Sequence, residues 1–279
     1  MTNPDVARPR VVAISGAGTG IGQATARKFG EQGWQVVVGG RRVERLTETA
    51  SLVEHADGVC LVHELDVTDA ESVERFFGAA EDRFGTVTAV INNAATARYG
   101  PLDDFSPAEI EVEVATKLIG ALYMARRGIQ ALRRDGGGGD ILFVTSLAAV
   151  QPWPFHLPYA AANAGVEQAA RTLRLELEGS GIRVNVLRCG ETVGTDFSTR
   201  EQENGRALAM NEFWFRRGLL RHTGFMTPDM VADAIFTAVS LPATHQYEIM
   251  SVIPTAPIGD VPTSYEEWGA ALMNLDVSS

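Results

Sequence analysis

Val11-Val12-Ala13-Ile14-Ser15-Gly16-Ala17-Gly18-Thr19-Gly20-Ile21-Gly22 is the stretch on which the fold turns. Its first five residues form a short β-branched apolar run, with the length and composition of a buried strand. The glycines that follow let the backbone turn sharply, and a helical pattern runs from Ile21 to Gln32. Outward from this unit the same alternation continues. The spacing predicts further strands over Gln35–Val38, Gly58–Leu65, Val87–Ile91, Asp140–Thr145, Ile182–Leu187 and Glu248–Ile253. Helices are predicted over Val43–His55, from an Asp69 N-cap to near Phe84, from Pro107 to about Arg134, from Pro158 through Leu177 and from Pro228 through Leu241. Gly136 to Gly139 reads as a flexible break, 191–226 as an irregular segment, and the region around Trp268 as a short helix. Buried strands separated by helices predict one α/β domain with a parallel sheet and helices on both faces.

Composition narrows the function. The chain has 279 residues, 45% of them hydrophobic and 21% charged, with a formal net charge of -11. An acidic protein has no general attraction to phosphate backbones or anionic membranes, so nucleic acid and membrane are not expected partners. Met1–Pro9 lacks the apolar centre of a leader, and no run of ~18 apolar residues is present, which points to the cytoplasm. Cys60 and Cys189 lie in apolar runs and read as buried thiols, without disulfide framework or zinc spacing, so no metal is expected. Lysine is rare: Lys28 and Lys117 stand among a majority of arginines.

The glycine turn lies where a strand hands over to a helix. There Ser15, Gly16, Gly18, Thr19, Gly20, Ile21 and Gly22 bring backbone N–H groups and a helix N-terminus to a pyrophosphate. The second strand supplies the next discriminator. A free ribose 2′-hydroxyl calls for a carboxylate at this strand's end. Here the chain reads Gly39-Gly40-Arg41-Arg42, whose guanidiniums suit a 2′-phosphate. This favours NADP(H), with NAD(H) still admissible. The arginines also fit a solvated helix start. Asp66 and Val67 follow the third strand, where the aspartate meets an adenine or caps a turn.

These residues resemble the short-chain dehydrogenase/reductase family over about Arg10 to Pro254. The glycine turn is similar to its Thr-Gly-x-x-x-Gly-x-Gly, with Ser15 in place of threonine. Asn92-Asn93-Ala94-Ala95 resembles its Asn-Asn-Ala-Gly, with Asn93 and Ala94 beside the cofactor. Ser146 and Tyr159, thirteen residues apart, resemble its serine–tyrosine pair. Ile182-Arg183-Val184-Asn185-Val186 resembles the sixth-strand signature, and Cys189-Gly190 stands where the family has Pro-Gly. Val193 and Thr195 resemble the residues that hold the nicotinamide carboxamide. The resemblance implies a seven-stranded parallel Rossmann-type sheet of order 3-2-1-4-5-6-7. It further implies hydride transfer at a carbonyl carbon, a tyrosine acid/base, a serine that polarises the substrate oxygen, and a homotetramer or homodimer.

Two positions depart from that pattern. The family lysine, four residues after the tyrosine, is Asn163 here. Aligning on Gly120 puts Lys117 where the family has asparagine, so the two residue types are exchanged. A phenol has a pKa of ~10 and needs a neighbouring cation to act as a base near neutrality. Lys117 either resupplies that charge from the opposite helix or snorkels at the surface. Asn163, one turn beyond Tyr159, is expected to meet ribose hydroxyls.

The segment 191–226 carries Phe197, Met210, Phe213, Trp214, Phe215, Leu219 and Leu220, with Trp153 and Phe155 nearby. Such a lining suits a hydrophobic small-molecule substrate, a bulky or alicyclic ketone or alcohol. The same aromatics fit lid packing or a subunit contact. Glu191 and His156 are candidates for tuning the site, although a histidine beside prolines is commonly exposed. The leading reading is an NADP(H)-dependent oxidoreductase with Lys117, Ser146, Tyr159 and Asn163 as its catalytic set. The alternative, fed by Asn163, is a dinucleotide-binding sensor or scaffold with weak or no catalysis. An S-adenosylmethionine enzyme on a similar sheet leaves the serine–tyrosine pair unexplained.

Overall fold

The computed structural model describes residues 10–134, 137–196, 206–256, 258 and 261–273. Met1–Pro9, Gly136 and Phe197 lie outside the described residues. Seven strands form one parallel sheet of order β3-β2-β1-β4-β5-β6-β7. They are β1 Val11–Ser15, β2 Gln35–Gly40, β3 Val59–Glu64, β4 Ala89–Asn92, β5 Gly139–Ser146, β6 Ile182–Cys189 and β7 Met250–Val252. The helices are α1 Gly20–Glu31, α2 Val43–His55, α3 Ala70–Phe84, α4 Pro107–Val114, α5 Gly120–Leu132, α6 Leu157–Glu176, α7 Arg206–Arg216, α8 Pro228–Val239 and α9 Tyr265–Met273.

Two-residue periodicity explains why helices cover both faces. On β1, Val12 and Ile14 pack with Phe29, Trp34, Val231 and Ile235 in one core. Val11 and Ala13 turn the other way, toward Phe76, Phe77 and Met124. All seven of those large partners except Trp34 are fully buried, and Trp34 is nearly so. Each such side chain contributes about 1.5–3 kcal/mol by leaving water. The faces therefore hold α1 and α8 on one side and α3, α5 and α6 on the other.

Several boundaries differ from the spacing. The helix predicted from Pro107 to about Arg134 is broken by a π-helical turn at Ala115–Ile119. A π turn inserts a residue per turn and re-aims the side chains it carries. Strand four begins at Ala89, because Thr88 turns its hydroxyl to the backbone of Val11, accepting at 2.9 Å and donating at 3.0 Å. Strand seven is short. The carbonyl of Glu248 accepts from Arg174 at 2.8 Å, so ladder pairing starts at Met250. Cys60 is half-buried, and Cys189 is buried as expected. Among the described residues no helix is long and apolar enough to cross a membrane.

Candidate active site

A cleft of about 930 Å³ opens above the C-terminal ends of the strands. One wall is the glycine turn. Gly16 has φ +65, open to glycine at little cost, and a Cβ there would sit 2.8 Å from Ala94 Cα. Gly22 is held by close approach: a Cβ would meet Gly16 O at 2.2 Å. Ser15 and Gly22 stand behind the cleft wall and build the turn. Ser15 Oγ accepts from Asn93 N and Ala94 N, each at 3.2 Å, while Asn93 Nδ2 donates to Ser15 O at 3.2 Å and Gly16 O at 3.0 Å. Thr19 caps α1 without a side-chain hydrogen bond, and the first turn carries no acidic side chain. The helix N-terminus thus keeps its donors and dipole for an anion. Gly16, Gly18, Thr19, Gly20, Ile21, Asn93 and Ala94 line the cleft beside it.

Beyond the turn, Arg41, Arg42, Asp66 and Val67 line the same cleft. Asp66 Oδ1 accepts from Thr68 N at 2.9 Å and Thr68 Oγ1 at 2.7 Å, which fixes a turn while leaving the residue in the wall. Arg42 Nη2 pairs with Asp196 Oδ2 at 2.6 Å. That partner lies 154 residues away in sequence, and spacing does not reveal it.

The opposite wall carries the serine and tyrosine singled out by the sequence. Ser146 ends β5, and Tyr159 stands near the start of α6. Burial pushes the Tyr159 phenol up to about 12; a hydrogen bond with Ser146 works against this, and a weaker one with Asn163 does the same. Asn163 is fully buried and does not line the cleft: its Nδ2 donates back to Tyr159 O at 2.9 Å. The expected ribose contact is therefore not prepared here, because the amide faces its own helix turn.

Lys117 sits on the π turn at 4% exposure, so the surface-lysine reading is excluded. Its Nζ donates to Val144 O at 2.5 Å, two residues before Ser146. Burial draws the ammonium down to about 8, while the Cys189 thiol nearby works upward. Cys189 pairs in register with Ser146 across β5 and β6. Burial raises its thiol to about 11, and its Sγ lies 3.2 Å from Thr192 Oγ1. Lys117, Cys189, Ser146 and Tyr159 all line the cleft.

Gly190, Glu191, Val193 and Thr195 line it too, as does Thr192, which the spacing did not single out. The lid segment is tied at both ends: Met226 N donates to Glu191 O at 2.9 Å, and Val193 N to Met226 O at 3.0 Å. Over the remaining mouth, Tyr99 stacks on His156 at 4.3 Å, and Trp214 meets Tyr99 edge-on at 5.3 Å and Trp153 at 5.2 Å. Phe225 and Trp268 complete the aromatic lining. His156 is buried, not exposed as its prolines suggested, and burial lowers its ring to about 3, so it stays neutral. Phe155 adopts φ +70, a strained conformation for a bulky residue, immediately before it. Phe155 pairs with Phe213 at 4.8 Å outside the cleft lining. Met210, Phe213, Phe215 and Leu219 pack behind Trp214, so lid packing accounts for them.

The sequence pattern of the short chain dehydrogenase family matches residues 10–205. The chain is 32% identical over 248 residues to sulfoacetaldehyde reductase 2 of Chromohalobacter salexigens, covering 88% of this chain and 94% of that one. It is 34% identical over 209 residues to 3beta-hydroxysteroid dehydrogenase 1 of Eggerthella lenta, covering 75% and 80%. Among solved structures, the closed form of a serine dehydrogenase complexed with NADP+ superposes with a TM-score of 0.77 at 26% identity, covering 90% of this chain and 98% of that one.

Proposed function

This chain belongs to the short-chain dehydrogenase family and is an oxidoreductase of alcohol or carbonyl groups; from that premise we propose that it is an NADP(H)-dependent reductase of bulky, hydrophobic ketones. The observation that carries the reading is the hydrogen-bonded Ser146–Tyr159 pair in one wall of a cleft whose other wall is an open helix N-terminus. The glycine turn would hold the pyrophosphate, Arg41 and Arg42 the 2′-phosphate, and Val193 with Thr195 the carboxamide. Held there, a nicotinamide would supply a hydride to the carbonyl carbon or, in the reverse direction, take one from the carbinol carbon.

The chain's own residues handle the oxygen. Ser146 orients and polarises it through its hydroxyl. Tyr159 gives it a proton. A phenol held at about 12 stays protonated at neutral pH, which fits the acid role and hence reduction. Asn163 braces the helix turn that carries Tyr159. Lys117 supplies the positive charge that the family places at the Asn163 position. The aromatic mouth excludes water and receives the apolar body of the substrate. Similarity to a hydroxysteroid dehydrogenase supports a bulky alicyclic substrate.

The test is NADPH consumption over a panel of alicyclic and aromatic ketones. Turnover is expected, and Tyr159→Phe is expected to lower it about 10²–10⁴-fold with NADPH binding retained. Binding without turnover of any ketone would favour the sensor reading. Undiminished turnover by Tyr159→Phe would remove the phenol from the chemistry.

The reading places the enzyme in the cytoplasm, in keeping with two free cysteines, and pairs it with copies of itself. Val112, Ile119 and Leu122 are exposed apolar side chains along the α4–α5 rod, and they suit a self-complementary contact. Light scattering checks this: a monomer at micromolar concentration would count against it.

A further inference from the structure

We propose that Asp196 is a built-in competitor for the cofactor's 2′-phosphate and so sets how strongly the protein discriminates NADP(H) from NAD(H). The inference rests on the dinucleotide reading above and concerns a residue that reading leaves unused. Asp196 Oδ2 lies 2.6 Å from Arg42 Nη2. Its charge also reaches Arg45, whose guanidinium it helps hold above the usual arginine value after the larger pull of Glu48. Arg42 caps α2, and Arg45 sits within that helix's first turn. A carboxylate from the segment after β6 therefore pairs with Arg42 at the end of β2, with Arg45 in its wider field.

The approach of this segment to Arg42 is fixed by packing. Thr195 presses on α1, where a Cβ on Gly20 would lie 3.2 Å from Thr195 Cγ2. The ties from Glu191 and Val193 to Met226 anchor the segment before it. Residues 191–196 line the cleft and bring the Asp196 carboxylate to Arg42. Arg42 and Asp196 both line the cleft.

A guanidinium that pairs with a carboxylate offers the same donors to a phosphate dianion. The two anions compete for Arg42, and any carboxylate left close by repels the phosphate. Both groups are about half exposed, so the effect is modest and screened by salt. NAD(H), which has a hydroxyl there, escapes the competition.

Calorimetric binding of NADPH, NADH and adenosine 2′,5′-bisphosphate to wild type, Asp196→Asn, Asp196→Glu and Arg42→Gln tests this. Asp196→Asn is expected to raise the NADPH-over-NADH affinity ratio about two- to fivefold, and to tighten the bisphosphate similarly. Asp196→Glu should keep the wild-type ratio, and Arg42→Gln should lower it. The gain should shrink at about 0.5 M salt. Equal changes in both dinucleotides, or no change, would overturn the inference while leaving the enzyme reading intact. A wild type that binds neither dinucleotide would overturn the enzyme reading, and this inference with it.

Discussion

A buried ammonium makes its own pH signature. Below about 8 the folded protein holds Lys117 charged out of water, and the unfolded chain holds it charged in water, so the full burial penalty applies. Between about 8 and 10.5 the folded state releases its proton while the unfolded chain keeps it. Stability contributed by this site therefore rises with pH through that window. Tyr159 acts oppositely: its phenol is raised to about 12, so stability is lost as pH climbs from 10 toward that value. Lys117→Met, which keeps the length and removes the charge, should raise stability at pH 7 by on the order of 1–3 kcal/mol. That gain should fade as pH passes about 8, and paired melts at neutral and alkaline pH would show it. The same variant should lose at least about tenfold in turnover if the ammonium serves Tyr159. Undiminished turnover would reduce Lys117 to a packing residue. At this scale the family resemblance singled out Ser146, Tyr159 and the exchange of Lys117 with Asn163 as candidates. It did not expose that Asn163 turns back to Tyr159 O, a choice of side-chain orientation that residue spacing leaves open, nor that His156 is buried, because Tyr99 and Trp214 reach it from distant segments.

Elements hold the reactive pair in place through one buried ion network. Glu167 lies two turns beyond Tyr159 on α6. It accepts from Thr145 Oγ1 at 3.0 Å and pairs with Arg188 at 2.9 and 2.6 Å. Thr145 precedes Ser146 on β5, and Arg188 precedes Cys189 on β6. The helix that carries the phenol is thus fastened to both strands that carry its neighbours. Glu167→Ala leaves Arg188 facing a polar gap, and the cost should fall at the lower end of about 3–5 kcal/mol because Arg188 keeps some solvent. Denaturant unfolding measures that cost. Turnover should fall with it, with kcat changing more than the cofactor Kd, since the glycine turn lies on the other wall. A loss in Kd alone would refute this division. The network was not legible in advance: Glu167 meets Thr145 and Arg188 only once α6 packs on the sheet, and residue spacing does not pair groups 21 and 22 positions apart. The π turn was equally hidden, since 107–134 has an unbroken helical pattern and the extra residue shows only once Lys117 is aimed inward.

Across the whole molecule, strand order was readable because each buried apolar run was followed by a helix, and the resemblance supplied the sequence of neighbours. The short helix around Trp268 was legible and is present as α9, but its docking place was not, because residue spacing does not say which surface an apolar face covers. Helix α9 comes back over the lid after the last strand. Trp268 is 1% exposed, donates from Nε1 to His222 O at 3.0 Å, and stacks on Tyr265 at 5.7 Å. It reaches the cleft from the end of the chain, alongside Trp214 and Leu220 from the lid. The half of the cleft proposed for the cofactor draws on the glycine turn, the ends of β2, β3 and β4, and Val193 with Thr195, none of them on α9, so the two halves should fail separately. A chain ending at Val261 removes α9 and strips Trp214 and Phe225 of their cover. Its melting temperature should drop by several degrees, and the KM for a bulky ketone should rise by about an order of magnitude. NADPH affinity should hold within about twofold, because no phosphate-facing group is touched. Trp268→Phe, which keeps an aromatic ring but loses the bond to His222, should show the same ordering in milder form. If cofactor affinity fell as far as substrate affinity did in both variants, the tail would belong to the frame of the entire cleft rather than to its substrate side.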